Sequence, residues 1–163
     1  MNNKDMNFFE FMDYLKVFSG NLELLLNRYA KFKDIPNSNV VEYFTYFDII
    51  IVQLRAMCIE NERYENNYTV QVLMRKVRQD NLADRLDRYL QNELTYKITI
   101  KEAIKFIADK FVCHYDNTDI GDRSKEHICR ANFSNTYNKF NLESIVKEII
   151  EIVGEGLKLE NSK

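Results

Sequence analysis

TIKEAIKFIADKFVCHYDN, running from Thr99 to Asn117, is the stretch whose reading decides the fold. Ile100, Ala103, Ile104, Ile107 and Phe111 recur at helical spacing, so one face of the segment is apolar. On α-helical winding His114, seven residues past Ile107, falls on that same face and points a histidine inward. Thr99 followed three residues later by Glu102 forms a capping box, in which each side chain satisfies an orphan backbone donor, and marks the start of the helix.

Working outward, the same period appears on both sides. From Met6 to Phe32 the apolar positions Phe8, Phe11, Met12, Leu15, Phe18, Leu22, Leu25, Leu26 and Tyr29 keep helical phase through Ser19-Gly20, which predicts one helix with Gly20 as its candidate bend. Lys33 to Asn39, with Pro36, connects it to a second helix opened by Asn39 and Glu42. There Val40, Phe44, Phe47, Ile51, Leu54 and Cys58 form a seam suited to a partner helix, with Arg55 at its edge and Asp48 two turns earlier on the same side. The polar run Glu60 to Tyr68 ends that helix.

A short helix is expected over Thr69 to Val77. Asp80 or Asn81 then caps another, with Leu82, Leu86, Tyr89 and Leu90 inward. Asp116 to Phe140 has no sustained period and is rich in side chains that bond their own backbone, which predicts a long loop with at most a short helix around Ser124 to Cys129. Leu142 to Val153, capped by Asn141 and stopped by Gly154 and Gly156, closes the set, with a frayed tail from about 155.

Composition agrees with long helices. The chain has 163 residues, four glycines and one proline, too few turn formers for many short strands, and no repeat or linker divides it. The expectation is an all-α single domain, a five- or six-helix bundle. A net charge of −2 excludes a global attraction to polyanions, so nucleic-acid binding has to come from a local patch. Three scattered cysteines read as reduced thiols of a cytoplasmic protein, and no uncharged run is long enough for a signal peptide or a membrane span.

The residues offer several candidate chemistries. His114 has the near-neutral titration that acid–base transfer at a ribose 2′-hydroxyl needs, without a metal or other cofactor. Its plain alternative is a core-edge histidine donating one hydrogen bond. Asp109 lies about 140° around an α-helix from His114, so the two meet only if the helix unwinds or a dimer mate intervenes. Glu62 and Glu65 with Asp84 and Asp87 are two acidic pairs at i, i+3 able to hold Mg²⁺, and they resemble the signature of all-α nucleotide pyrophosphohydrolases with Asp in place of the third Glu. Cys113, His114, His127 and Cys129 are poorly spaced for zinc, because adjacent helical residues diverge. Asp116, Asp119, Gly121 and Asp122 imitate a calcium loop but lack its terminal acid. Arg75, Lys76, Arg78, Arg85 and Arg88 form a basic cluster that either grips phosphates or is a solvated helix face.

ADKFVCHYD, at the end of the opening stretch, resembles the active-site helix of the HEPN superfamily of abortive-infection and toxin–antitoxin proteins, and Arg55 to Leu73 is similar to the helix-loop-helix connection before that helix. The family pattern is an arginine, usually a polar residue after it, and then a histidine. His114 matches the histidine and Asp109 the polar position, while Ala108 stands where the arginine is expected. The resemblance implies a domain that binds or cuts RNA, a homodimer with paired sites, and an antitoxin-like partner. It implies His114 as acid–base, with Lys110 and Arg55 as candidates for the missing cation and Asp109 as a supporting group. An inactive relative that acts by binding, the Mg-dependent pyrophosphohydrolase and a partner-binding bundle without chemistry are the alternatives.

Overall fold

The computed structural model describes residues 8–36, 38–59, 69–112 and 120–160. Among these residues the fold is all-α, with seven helices rather than five or six and one small hairpin. The helices are α1 (Phe8–Lys33), α2 (Val40–Cys58), α3 (Val70–Lys76), α4 (Asp80–Leu90), α5 (Ile100–Phe106), α6 (Ile120–Ser134) and α7 (Leu142–Glu160). A π-helical turn, Ile107–Val112, continues α5 directly. β1 (Glu93–Thr95) and β2 (Ile98–Thr99) pair antiparallel between α4 and α5.

One buried apolar cluster draws on every helix, because each contributes a stripe that only its neighbours can cover. Phe18 and Leu25 of α1 meet Phe47, Ile50, Ile51 and Leu54 of α2, and Ile100, Ala103, Ile104 and Ile107 are sealed from water as their spacing predicts. α1 packs along α2, α3 pairs with α4, α7 lies against both, and the π-helical turn packs on α2. Polar groups inside are tied down: Tyr14 Oη donates to the Thr69 carbonyl at 3.0 Å, and Gln53 links the Asn21 carbonyl at 2.6 Å to Arg28 at 2.7 Å.

The capping residues behave largely as read. Asn39, Thr69 and Thr99 each accept from the backbone three residues on, and the Thr99–Glu102 box is complete. α4 differs, since Gln79 is its N-cap and makes no side-chain cap bond, placing Asp80 inside the first turn.

Three expectations are corrected. The loop expected over Asp116 to Phe140 contains the fifteen-residue helix α6, which buries only Cys129 and Phe133 and is otherwise held by ion pairs. Only 135–141 has the asparagine-bonded turns that the composition suggested, with Asn138 donating to the Leu94 carbonyl and to Asn132. Neither Gly154 nor Gly156 stops α7, and the tail from about 155 stays helical to Glu160. A Cβ on Gly156 would lie 2.6 Å from Met74 Sδ, so the glycine lets α7 approach α3 closely rather than ending the helix. The α2 seam is clean only from Phe47 onward, because Val40 and Phe44 are exposed.

Candidate functional site

Position 108 decides how the HEPN-like pattern can be read. Ala108 is 0% exposed, packed with Ile107 in the main core, so the place of the expected arginine points into hydrocarbon. A guanidinium there would be a buried charge with no partner. Any cation serving this end of the molecule has to come from another element.

Arg55 of α2 is such a cation. Its Nε lies 3.2 Å from Asp109 Oδ1, and its Nη1 donates to the Ile59 carbonyl at 2.8 Å, beside the end of α2. The Arg55 side chain is 18% exposed and that of Asp109 43%, so the pair straddles the surface with its acidic member outermost. α2 packs against the π-helical turn, and that packing brings together two residues 54 positions apart. Asp109 and Lys110 both lie within the turn, where the bonding pattern changes to i→i+5. The helix therefore does unwind between Ile107 and Val112. Angles counted on α-helical winding, including the inward aim assigned to His114 from Ile107, do not carry across it.

His114 itself lies outside the described residues, as do Cys113, Glu62, Glu65, Asp116 and Asp119. Further partners of the turn are on α6. Lys110 is ion-paired with Asp122. Arg130 binds Asp48 of α2 and, at 2.7 Å, Glu126 of its own helix, while stacking over Phe47 with its guanidinium carbon 5.2 Å from the ring centroid. Lys125 sits 4.4 Å over the Phe106 ring. Arg55 and Asp48 thus do not pair with each other; each holds α2 to a different neighbour. The seam formed by α2, the π-helical turn and α6 alternates Arg55, Lys110 and Arg130 with Asp109, Asp122, Asp48 and Glu126.

The pairing roles of Asp122, Glu126 and Arg130 do not show in the sequence reading, which allows at most a short helix here where α6 runs from Ile120 to Ser134. The i, i+4 spacing of Glu126 and Arg130 is the signal that marks it.

The other candidates lie only in part within the described residues. Asp87 accepts from Arg75 at 2.8 Å and from Gln71 at 3.0 Å, while Asp84 is exposed. Among the described residues no three His, Cys, Asp or Glu side chains gather as metal ligands. Cys129 is buried and its near neighbour His127 exposed, and burial pushes the Cys129 thiol up to about 11 and the Cys58 thiol up to about 12, so both stay protonated at neutral pH. Three members of the basic cluster are already engaged. Arg75 is held by Asp87, Lys76 lies over the Tyr14 ring, and Arg85 is gripped by Glu148, Glu151 and Glu155 of α7 at 2.7 to 2.9 Å.

Among the described residues no helix is long and apolar enough to cross a membrane. No family model, curated protein or solved structure matches the chain.

Proposed function

We propose that the protein is a HEPN-like helical domain of a defence or toxin–antitoxin type system that binds single-stranded RNA along the seam of α2, the π-helical turn and α6. The Arg55–Asp109 contact carries this reading. It brings the candidate cation to the turn that leads toward His114, at the one end of the molecule where position 108 cannot supply it. π-Helical turns concentrate at functional sites, which adds support.

In this reading a phosphate replaces the Asp109 carboxylate at Arg55, whose planar fork suits two phosphate oxygens. Binding exchanges one anion for another, so no surplus of positive charge is needed. His114 takes the proton of a 2′-hydroxyl and returns one to the leaving oxygen, with no metal in the step. A homodimer and an antitoxin-like partner belong to the same proposal. The pyrophosphohydrolase reading gains nothing, because Asp87 is already engaged by Arg75 and Gln71.

The test is single-stranded RNA incubated with the protein in EDTA. The expected result is binding with cleavage by the wild type, cleavage lost but binding kept in His114→Ala, and both lost in Arg55→Ala. Cleavage that persists in His114→Ala removes that histidine from the mechanism. RNA that is neither bound nor cut by the wild type removes the proposal.

A further inference from the structure

The RNA-binding reading uses the end of α2 that carries Arg55 and leaves the start of the same helix unused. Phe44 and Arg55 are about three full turns apart, about 16 Å along the axis, so they stand in line on one side of α2. Asp48, one turn on from Phe44, falls in that line too. The track thus has an aromatic ring at one end and a guanidinium at the other.

Phe44 is 44% exposed, on a helix whose apolar positions are sealed from Phe47 onward. Its neighbours nevertheless fix the ring. Tyr43 meets it edge to face with centroids 5.6 Å apart, and the guanidinium carbon of Arg130 lies 5.8 Å from its centroid. A ring held in place by neighbours while much of it stays in water is what a stacking platform for a base requires.

Charge decides which part of a strand suits this end. Arg130, only 13% exposed, is bound to both Asp48 and Glu126, so two carboxylates share one cation beside Phe44. A phosphate is repelled there and drawn to Arg55 instead. What the Phe44 end offers is a neutral π-face, which fits a base and not the backbone that links the bases.

We propose that Phe44 stacks one unpaired base of the strand whose phosphate is held at Arg55, a purine in preference to a pyrimidine because its larger face covers more of the ring. The inference rests on the RNA-binding reading and narrows it. The ligand is a single strand with a free base a few nucleotides from the bound phosphate. A protein docking on the exposed stripe of Val41 and Phe44 is the competing class of partner. Such a contact accepts any large aliphatic side chain at position 44, whereas a stacked base needs the ring.

Fluorescence anisotropy tests it with labelled oligoadenylate, oligouridylate and a base-free sugar-phosphate oligomer, the first two carrying 2′-fluoro groups so that no 2′-hydroxyl can react. The wild type is expected to bind oligoadenylate most tightly and the base-free strand least. Phe44→Leu weakens oligoadenylate binding by about tenfold, with no change for the base-free strand and none in the slope of log affinity against log salt. Phe44→Tyr, which keeps a ring, restores the affinity. Phe44→Leu binding oligoadenylate as the wild type does, or losing the base-free strand equally, overturns the stacking assignment and leaves the Arg55 seam standing. A wild type that binds none of the oligomers removes the RNA-binding reading and this assignment with it.

Discussion

Two arginines on different helices show how differently one residue type is used. Arg85 of α4 faces three carboxylates of α7 and meets all of them, Glu148 through both Nε and Nη2. Those bonds hold it charged and raise its pKa further. It is a clamp between helices, surrounded by excess negative charge. Arg55 meets one carboxylate, which is partly in water, and one backbone carbonyl. A phosphate arriving at Arg85 would face three glutamates, whereas at Arg55 it has one half-exposed carboxylate to displace. The arginine count of the α3–α4 stretch is therefore a poor guide to where an anion can bind, and the partners of each arginine are a good one.

The contrast can be broken in several places. The largest effect is expected from Ala108→Arg, which repairs the family pattern on paper. Because position 108 is sealed in the core, the variant loses about 4 kcal/mol of stability or fails to fold. Urea denaturation checks this, and a stable, more active Ala108→Arg protein would show that the core position has been misread.

Arg85→Ala comes next. It leaves three glutamates without their counter-ion, of which only Glu148, at 16% exposure, is well shielded from water. A loss of about 2 kcal/mol in a denaturant titration is expected, discounted from a fully buried pair for the solvent around Glu151 and Glu155. RNA affinity is expected to stay unchanged.

Thr99→Ala removes the cap of α5, the helix that feeds the π-helical turn, at about 1 kcal/mol. Hydrogen bonds from the Thr99 backbone and side chain hold the Glu102 carboxyl below its usual range. A lowered folded-state value means that the Glu102 contribution is complete above its unfolded value near about 4.3 and is lost as pH falls through the lower one. The stability difference between wild type and Glu102→Gln should thus be full at neutral pH and shrink in acid, as pH-dependent melting can show.

The smallest effect runs the other way. Arg78 sits at φ 59 in the link between α3 and α4, and Gln79 N–H reaches back to the Met74 carbonyl at 2.8 Å, so a left-handed residue closes α3. Arg78→Gly should gain about 1 kcal/mol in the same denaturant assay.

How much of this could be read from the residues follows the strength of the apolar period. α1, α2, α5 and α7 announce themselves because their buried positions are large, aliphatic or aromatic and in phase. α6 does not, since two buried side chains make no stripe, and the ion pairs that hold it join residues far apart in sequence. The hairpin was hidden for a different reason. Its turn places Tyr96 and Lys97 at φ 42 and 63, the conformation that Asn-Gly usually announces, so no turn signal was written there. At the candidate site, Arg55, Lys110 and Asp109 could be picked by type and spacing. Their partners could not, because pairing across α2, the π-helical turn and α6 is a property of packing. The π winding was equally invisible, and with it the phase of everything after Ile107.

The salt dependence of single-stranded RNA binding, measured for wild type, Arg55→Ala and Arg85→Ala, tests the central claim most directly. If Arg55 exchanges Asp109 for a phosphate, Arg55→Ala weakens binding and lowers the slope of log affinity against log salt by about one, while Arg85→Ala leaves both unchanged. An Arg55→Ala protein with the wild-type slope, or an Arg85→Ala protein that loses it, would contradict the account.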